Sequence, residues 1–275
     1  MPELPEVETV ARTLRPMLTG AAIAAVEVLD PLVVRPPGPA ALASGLEGRR
    51  IVGIGRRGKH LILALDDASH LVVHLGMTGQ LLLSQGDVPP PRFARVKFTL
   101  QDGRALWYAD MRKFGRLGLV RDVTADLASL GPEPFAPELD AEALLARLAG
   151  RRRPIKSLLL DQSFLAGLGN IYADEALFEA GIHPCTPARN LTLAEAERLL
   201  QSLRGVLARG IANRGTTIAD YVDGQGRPGT NQWQLRVYGR AGQDCPRCGR
   251  PIERLRLAGR STCFCSSCQP SRPKV

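Results

Sequence analysis

The stretch that decides the fold of the carboxy-terminal part of this chain is Cys245-Pro246-Arg247-Cys248, followed after sixteen residues by Cys265-Ser266-Ser267-Cys268. Two Cys-x-x-Cys turns at this spacing are typical of a structural zinc site, in which a β-hairpin presents four thiolates tetrahedrally. Clustered cysteines in a chain without a secretory signal favour metal binding over disulfides. Cys263 is an alternative ligand, but its offset from Cys265 lacks the two-residue spacer. We therefore predict one zinc ion bound by Cys245, Cys248, Cys265 and Cys268.

The charge of the chain indicates a polyanionic partner. The sequence has 36 Lys and Arg residues against 27 Asp and Glu, a net charge of +9, and the segment from Arg240 onward is strongly basic. This balance favours nucleic-acid binding, although solubility alone is the alternative explanation. No apolar run approaches the roughly 18–20 residues of a membrane span, and no signal peptide opens the sequence. We expect a soluble, cytoplasmic protein with no membrane partner.

The first eight residues, Met1-Pro2-Glu3-Leu4-Pro5-Glu6-Val7-Glu8, suggest a nucleophile. Removal of Met1 would leave Pro2 with a free secondary amine, and an α-amino group titrates at about 7.7–8.0, against about 10.4 for lysine. Such an amine can attack an electrophilic sugar carbon and form an iminium. The alternative is an ordinary acidic helix start, because Pro and Glu both favour a first helical turn.

Periodicity predicts a leading helix followed by a β-rich region. Apolar residues recur at helical spacing between Glu3 and Leu18. Short β segments separated by Gly, Pro and Asp turns then indicate an antiparallel sandwich or barrel. These segments are Ile23–Leu29, Arg50–Ile54, Lys59–Leu65, His70–Leu75, Arg95–Leu100, Arg104–Tyr108 and Leu117–Val120.

Beyond Gly131-Pro132-Glu133-Pro134, a plausible domain boundary, the pattern becomes helical. Helices are predicted at Ala141–Leu148, Lys156–Asp161, Ile171–Ala180 and Leu193–Ala212. The Gly167–Asn170 turn before the third of these helices could hold a phosphate on free backbone N–H groups, or be a plain interhelical turn. The Gly-rich segment Thr216–Thr230 is either a functional loop or a linker.

Lys59 and two Gly-rich turns are further candidate functional positions. With a period of two, Lys59 shares a strand face with leucines, so its amine either snorkels from the strand end or points into a site. His74–Gly79 and Asp110–Gly115 each carry a large side chain at a turn. Such side chains cap a local core or, on a nucleic-acid-binding protein, act as wedges that unstack bases.

Taken in order, these motifs resemble the bacterial formamidopyrimidine-DNA glycosylase family over nearly the full length, from Pro2 to Cys268. The matching motifs are PELPEVE from Pro2, RRGKHL around Lys59, HLGMTG from His74, RKFG from Arg112, GLGNIYADEALFEAGIHP from Gly167, VYGR from Val237 and the four cysteines. Together they are highly specific.

The resemblance implies excision of oxidised purines, such as 8-oxoguanine and formamidopyrimidines, and then β,δ-elimination at the abasic site. It implies an α+β multidomain fold with an N-terminal antiparallel β-sandwich, a helical domain with a helix–two-turn–helix motif, and a β-hairpin zinc finger. We assign residues 1–131, 132–236 and 237–270 to these domains and 271–275 to a tail. The expected partner is double-stranded DNA bound by a monomer, in the bacterial cytoplasm and at the nucleoid during repair.

The resemblance also implies residue roles. Pro2 matches the nucleophile that forms a Schiff base with C1′, and Glu3 matches the proton donor and acceptor. Lys59 matches the lysine of β-elimination, and Arg260 matches the residue assigned to δ-elimination. Because arginine titrates above 12, we interpret Arg260 mainly as a phosphate clamp. Zinc is the implied cofactor.

The remaining matches are DNA contacts. Met77, Arg112 and Phe114 match the trio that fills the gap left by the everted nucleotide, which offsets part of the cost of base flipping. Lys156, Asn170 and Arg151 match DNA contacts, and the Thr216–Thr230 segment matches the element that closes over the damaged base. Phe93 falls where many members carry a DNA-contacting His, so we do not transfer that role.

Two alternative functions compete with this interpretation. An endonuclease VIII-like glycosylase for oxidised pyrimidines would share the finger and helical motifs, but its opening typically lacks the Leu4-Pro5 context. A non-catalytic zinc-ribbon DNA-binding protein would explain the charge and the cysteines, but it would leave Pro2, Glu3 and Lys59 without a role.

Overall fold

The structure, a computed structural model, describes residues 1–86 and 88–271. The chain forms two compact units. The first comprises Met1–Ala128 together with Gly210–Gln232, and the second comprises Ser129–Arg209 and the chain from Trp233 onward. Residues 272–275 of the predicted tail lie outside the described residues. The predicted fold class, α+β with antiparallel sheets, a helical region and a finger hairpin, is confirmed.

The first unit begins with helix α1, Leu4–Leu18, for which Glu3 is the N-cap residue. Its apolar residues fall on one face because they recur three and four positions apart. Val7, Val10, Leu14 and Leu18 are all buried in the core of this unit. Burial of each such side chain is worth about 1.5–3 kcal/mol, so this face is what holds the amino terminus in place.

Two antiparallel four-stranded sheets follow, as the spacing of the β segments predicted. One sheet has the order β1-β6-β7-β5 and the other β2-β3-β4-β8. The strands are β1 Ile23–Val28, β2 Ile51–Arg57, β3 His60–Leu65, β4 His70–His74, β5 Gly79–Ser84, β6 Ala94–Leu100, β7 Ala105–Asp110 and β8 Arg116–Val120. Buried residues of both sheets join α1 in one hydrophobic cluster, which is the arrangement of a sandwich.

Sequence patterning missed three elements of this unit. Strand β5 carries Leu81-Leu82-Leu83, an apolar run without the alternation that marks a half-buried strand. Helix α2, Pro39–Leu46, begins after a proline-rich stretch that signals a loop. Helix α3, Val123–Asp126, is a single turn, too short to show a helical period.

The helices of the second unit lie close to their predicted positions. They are α4 Ala141–Leu148, α5 Ile155–Leu159, α6 Asn170–Ala180 and α7 Leu193–Ala212, the last of which runs on into the segment that begins at Gly210. Thr192 and Glu195 form reciprocal capping contacts at the start of α7. Within the described part of the chain, no helix combines the length and apolar character that crossing a membrane requires.

The finger hairpin consists of β9, Glu253–Leu257, and β10, Arg260–Phe264, paired antiparallel. The two connecting residues, Ala258 and Gly259, both have positive φ angles, 50° and 74°. Two residues with positive φ are the requirement of a type I′ turn, which matches the twist of the flanking strands. Arg260 therefore directly follows the hairpin tip, and its side chain is exposed.

Candidate functional site

The amino terminus of α1 carries the two first candidates, Pro2 and Glu3, and both are buried. Glu3 and Glu6 form a capping box, in which the backbone N–H of Glu3 donates to Glu6 Oε2 at 2.8 Å. With Met1 attached the Pro2 nitrogen is an amide, so a nucleophile requires removal of Met1. Because the capping box fixes the backbone at Glu3, it also fixes the position of Pro2, which directly precedes Glu3.

Glu6 connects this helix start to a segment more than 200 residues away in the sequence. Its Oε1 accepts a hydrogen bond from the backbone N–H of Thr216 at 2.7 Å. The hydroxyl of Tyr221 donates to the Glu6 carbonyl at 3.3 Å. Neither partnership is visible in the sequence, because nothing local to Glu6 distinguishes it from an ordinary acidic residue in the first turn of a helix.

Lys59 lies in the turn between β2 and β3, with only 8% of its surface exposed. Leu61, Leu63 and Leu65, which follow it at a period of two, are buried, so the face that the alternation predicts for Lys59 is the core face. The burial of Lys59 is compatible with an amine held inside a site.

Arg56, just before that turn, binds Glu8 of α1 at 3.0 Å. Burial alone would raise the pKa of Glu8, but hydrogen bonds from Arg12 and Arg56 outweigh it and lower the pKa below its ordinary value. Glu8 is therefore ionised at neutral pH and ties α1 to β2. This contact places the Lys59 turn relative to the helix that begins at Glu3.

The two Gly-rich turns are joined by one buried carboxylate, Asp110. It accepts hydrogen bonds from the hydroxyl of Thr78 at 2.6 Å and from the backbone N–H of Gly115 at 2.8 Å. The N–H of Arg112 and the hydroxyl of Tyr108 also donate to it, each at 3.1 Å. Asp110 is completely buried, so these four donors replace its hydration.

The predicted wedge residues stand on these turns. Met77, Arg112 and Phe114 are all exposed, and the Arg112 guanidinium lies 4.8 Å from the centroid of the Phe114 ring. Below them the backbones of the turns touch: a Cβ added at Gly76 would lie 2.5 Å from the nitrogen of Gly115. The structure thus brings the three candidates together on one rigid support.

His74, at the start of the first Gly-rich turn, is neutral at physiological pH. Burial lowers its pKa to about 4, and repulsion from His60, Lys59 and Arg116 acts in the same direction. The rings of His60 and His74 lie 4.8 Å apart between centroids. The Nδ1 of His74 accepts a hydrogen bond from Gly76 N–H at 3.2 Å, which requires an unprotonated nitrogen.

In the second unit, Lys156 is completely buried. Its Nζ lies 2.6 Å from Asp174 Oδ1 and donates to Thr262 Oγ1 at 2.7 Å and to the Ser261 carbonyl at 3.1 Å. Asp174 also accepts the backbone N–H of Cys263 at 3.0 Å. These contacts fasten the finger hairpin to α5 and α6, so the buried Lys156 amine has a structural role in addition to the DNA contact that the resemblance implies.

The other predicted DNA contacts differ in their surroundings. Asn170 begins α6, and its side-chain amide donates to the Ser261 carbonyl at 2.9 Å, beside the position of Arg260. Arg151 is exposed, with its guanidinium 5.6 Å from the centroid of the Phe164 ring. Asn170 and Lys156 thus share the Ser261 carbonyl, whereas the Arg151 side chain donates to the Arg147 carbonyl at 2.9 Å.

Glu175 is a further buried acid whose partners were not predicted from the sequence. Its carboxylate accepts the backbone N–H groups of Arg236, Val237 and Tyr238, all at 2.8–2.9 Å. Burial raises the pKa of Glu175, although these hydrogen bonds oppose the rise. It holds the VYGR segment that leads into the finger. The detectable signal is that Asp174-Glu175 interrupts the apolar run from Ile171 to Phe178 in α6.

The four predicted zinc ligands converge. The Sγ atoms of Cys245, Cys248, Cys265 and Cys268 all lie within 4.8 Å of one another, with pairs at 3.8 and 3.5 Å. Tetrahedral Zn–S bonds of about 2.3 Å require sulfur separations of about 3.8 Å, so this donor set fits one zinc ion. Cys263 does not belong to the group; it lies on β10 with its backbone bound to Asp174.

Comparison with known families agrees with this geometry. Residues 1–117 match the formamidopyrimidine-DNA glycosylase N-terminal domain, residues 130–222 the H2TH domain of the same family, and residues 242–270 a zinc finger found in FPG and IleRS. Formamidopyrimidine-DNA glycosylase of Moorella thermoacetica is 54% identical over 260 residues, covering 93% of this chain and 95% of the relative.

Two solved structures share the fold over 98% of this chain and the whole of theirs. The complex of Lactococcus lactis Fpg with DNA containing an abasic site has a TM-score of 0.92 at 36% identity. The complex of Lactococcus lactis FPG with DNA containing Fapy-dG has a TM-score of 0.90 at 36% identity. The fold and the cysteine site are those of a zinc-finger DNA glycosylase. The chain belongs to the formamidopyrimidine-DNA glycosylase family, as its motifs predicted.

Proposed function

We propose that this chain is a bifunctional base-excision repair glycosylase that removes oxidised purines, including 8-oxoguanine and formamidopyrimidines, and then cleaves the abasic site. The observation that carries the proposal is the buried Pro2-Glu3 pair at the capped start of α1, on a chain whose family membership extends over its whole length. The relatives crystallised with Fapy-dG and abasic DNA support this substrate class.

In the proposed first step, the Pro2 amine attacks C1′ of the damaged nucleotide and the glycosidic bond breaks. The base leaves with the bonding electron pair and takes up a proton, and the sugar remains on Pro2 as an iminium. Glu3 supplies and accepts the protons of glycosidic cleavage and sugar-ring opening. Its buried position next to Pro2 supports this assignment.

In the proposed second step, the iminium acidifies the C2′ proton, and loss of that proton expels the 3′ phosphate. We assign the β-elimination proton transfer to Lys59. Arg260 is assigned to the δ-elimination that expels the remaining phosphate, acting chiefly as a fixed positive charge on the leaving group. The exposed guanidinium of Arg260, directly after the hairpin tip, supports a phosphate contact.

DNA binding is assigned to Met77, Arg112 and Phe114 as the side chains that replace the everted nucleotide, with Asn170, Lys156 and Arg151 as further DNA contacts. The exposure of the three wedge residues on one support, and the net charge of +9, support this division. The enzyme is proposed to work as a monomer on double-stranded DNA, in the bacterial cytoplasm and at the nucleoid during repair.

The experiment is borohydride trapping on a duplex that contains one 8-oxoguanine, followed by mass spectrometry of the trapped peptide. The expected product is DNA covalently attached to the amino-terminal peptide that begins at Pro2. A form with a blocked amino terminus and the Pro2→Gly variant are the comparisons. If the blocked form traps and cleaves as well as the native enzyme, the nucleophile is not Pro2.

A parallel excision assay on thymine glycol tests the substrate class. An enzyme for oxidised purines should process 8-oxoguanine faster than thymine glycol, and the reverse order would indicate an oxidised-pyrimidine glycosylase. Failure to cleave even a plain abasic site would indicate a DNA-binding protein without catalytic activity.

A further inference from the structure

Asp223 is a completely buried carboxylate in the middle of the Thr216–Thr230 segment, and it organises a tight turn. Its Oδ1 accepts the backbone N–H groups of Gln225 and Arg227, both at 2.9 Å. The backbone N–H of Asp223 donates to the Arg227 carbonyl at 2.9 Å, which closes the turn from the other side. The conformation of residues 223–227 is therefore fixed by one side chain.

Two arginines, one within the segment and one just before it, neutralise this buried charge. Arg214 and Arg227 both pair with Asp223 Oδ2, the latter at 3.4 Å. The carboxylate has no exposed surface, whereas the arginine side chains remain 37% and 54% exposed. Because an ionised carboxylate is stable in a buried position only when it is paired and hydrogen-bonded, the three residues form a clasp across the segment.

Gly224, the residue after Asp223, binds the clasp to helix α1 and strand β5 of the first unit. The N–H of Gly224 donates to the hydroxyl of Thr13 on α1 at 3.1 Å, and its carbonyl accepts the N–H of Leu83 on β5 at 3.0 Å. The space around Gly224 is filled, since a Cβ there would overlap the side chain of Leu14. The turn thus sits at one defined place against α1 and β5.

The other end of the segment reaches the proposed catalytic residues. Thr216 N–H binds the Glu6 carboxylate, whose second oxygen holds the N–H of Glu3. Between this contact and the clasp, Ile218, Ala219 and Asp220 project outward, and Ile218 is 60% exposed. The exposed Ile218 side chain therefore lies on an apex that is fixed at both ends, which suits it to contact a planar base.

We propose that Asp223 is a positioning residue for base excision: through Arg214 and Arg227 it holds the Ile218–Asp220 apex where it contacts the damaged base. This inference rests on the proposed function and extends it: Asp223 is needed for base excision and is not needed for strand cleavage at the abasic site. A contact to the base assists only the step in which the base is still attached. Strand cleavage at a pre-formed abasic site has no base to hold, so it does not need the apex.

The test compares wild type, Asp223→Asn and Arg214→Gln on two duplexes, one with 8-oxoguanine and one with a pre-formed abasic site. Asparagine keeps an oxygen for the two backbone N–H groups but removes the charge that the arginines need. The matched control is Asp102→Asn, which removes an exposed Asp–Arg pair with Arg104 in a hairpin of the same unit. Single-turnover rates separate excision from product release.

The expected result is that both clasp variants lose about tenfold in kcat/KM on 8-oxoguanine and stay within about twofold of wild type on the abasic duplex. Hydrogen exchange at the Gln225 and Arg227 amides should accelerate in Asp223→Asn, while exchange in β3 and β4 stays unchanged. The Asp102→Asn control should match wild type on both duplexes.

Two results overturn the inference while the proposed function stands: equal losses on both duplexes, which would mean a general structural role, or no loss on either. A wild-type enzyme that cleaves the abasic duplex but leaves 8-oxoguanine intact would overturn the proposed purine-excision function, and the positioning role with it. Because wild type is measured on both duplexes, these failures are distinguishable.

Discussion

Lys156 and Asp174 form an ion pair of 2.6 Å between Nζ and Oδ1 with essentially no exposed surface on either side chain. The same ammonium donates to Thr262 and to the Ser261 carbonyl of the finger hairpin. Burial raises the pKa of Asp174 to about 6, although the Lys156 ammonium opposes the rise. The pair is therefore a junction between two helices and the hairpin that carries Arg260.

Removing one partner of this pair should be costly, because the other charge stays buried. We predict that Lys156→Met lowers the free energy of unfolding of the second unit by about 3–5 kcal/mol, measured by urea denaturation. Lys97→Met, which breaks the partly exposed pair with Glu27, should cost less than about 1 kcal/mol. Similar losses in the two variants would refute the junction role.

Gly76 supports the wedge residues because no side chain fits there. Gly76→Ala would bring Cβ to 2.5 Å from Gly115 N at a φ of +62°, so we expect a loss of about 2–4 kcal/mol in stability together with reduced excision. Gly20→Ala has the same kind of backbone strain, φ +91°, but open space around it. It should cost about 1–2 kcal/mol and leave excision intact; thermal unfolding and single-turnover assays distinguish the two.

The neutral state of His74 predicts a pH dependence. Its pKa is about 4 in the folded chain, below the ordinary 6.5, so between these values the unfolded chain binds the proton and the folded chain does not. Its contribution to stability is therefore full above about pH 6.5 and is lost as pH falls toward 4, by about 2–3 kcal/mol. His74→Asn should remove that part of the acid sensitivity in urea titrations at pH 4–8. Parallel wild-type and variant curves over the whole range would contradict this assignment.

Zinc removal should act on the second unit. Chelation is expected to release one zinc per chain, to accelerate hydrogen exchange in β9 and β10, and to weaken DNA binding at least about tenfold, with β3 and β4 still protected. Cys185→Ser changes a cysteine outside the cluster and should retain the metal. Metal-free protein that binds DNA at full strength would show that the finger is dispensable.

Much of this structure could be predicted, and its local patterns explain why. Some signals are carried by residues close together in the sequence. The helical period predicted α1, the alternating segments predicted strands of the two sheets, and the cysteine spacing predicted the four-cysteine cluster. Strand β5 was missed because its run of leucines lacks alternation. The proposed DNA contacts and catalytic residues rest on the family resemblance, because no sequence periodicity marks residues that act at a site.

The buried acids could not be predicted from their surroundings in the sequence. Asp174 and Glu175 bind donors that become neighbours only after folding, and 89 residues separate Asp174 from its Cys263 partner. Asp110 combines local donors with the hydroxyl of Thr78, which lies 32 residues away in the sequence. Glu6, whose partner Thr216 lies 210 residues away in the sequence, belongs to the same group. A burial pattern is visible in a sequence, but the identity of a tertiary hydrogen-bond partner is not.

The four donors to Asp110 are backbone N–H and hydroxyl groups, while the side chains of Met77, Arg112 and Phe114 are exposed. The geometry of the two turns is thus independent of the side chains at their tips. Residues 77, 112 and 114 can therefore be substituted together without changing the conformation of the two turns that carry them. Libraries randomised at positions 77, 112 and 114 should therefore keep a high fraction of folded members, measured by thermal unfolding of sampled variants.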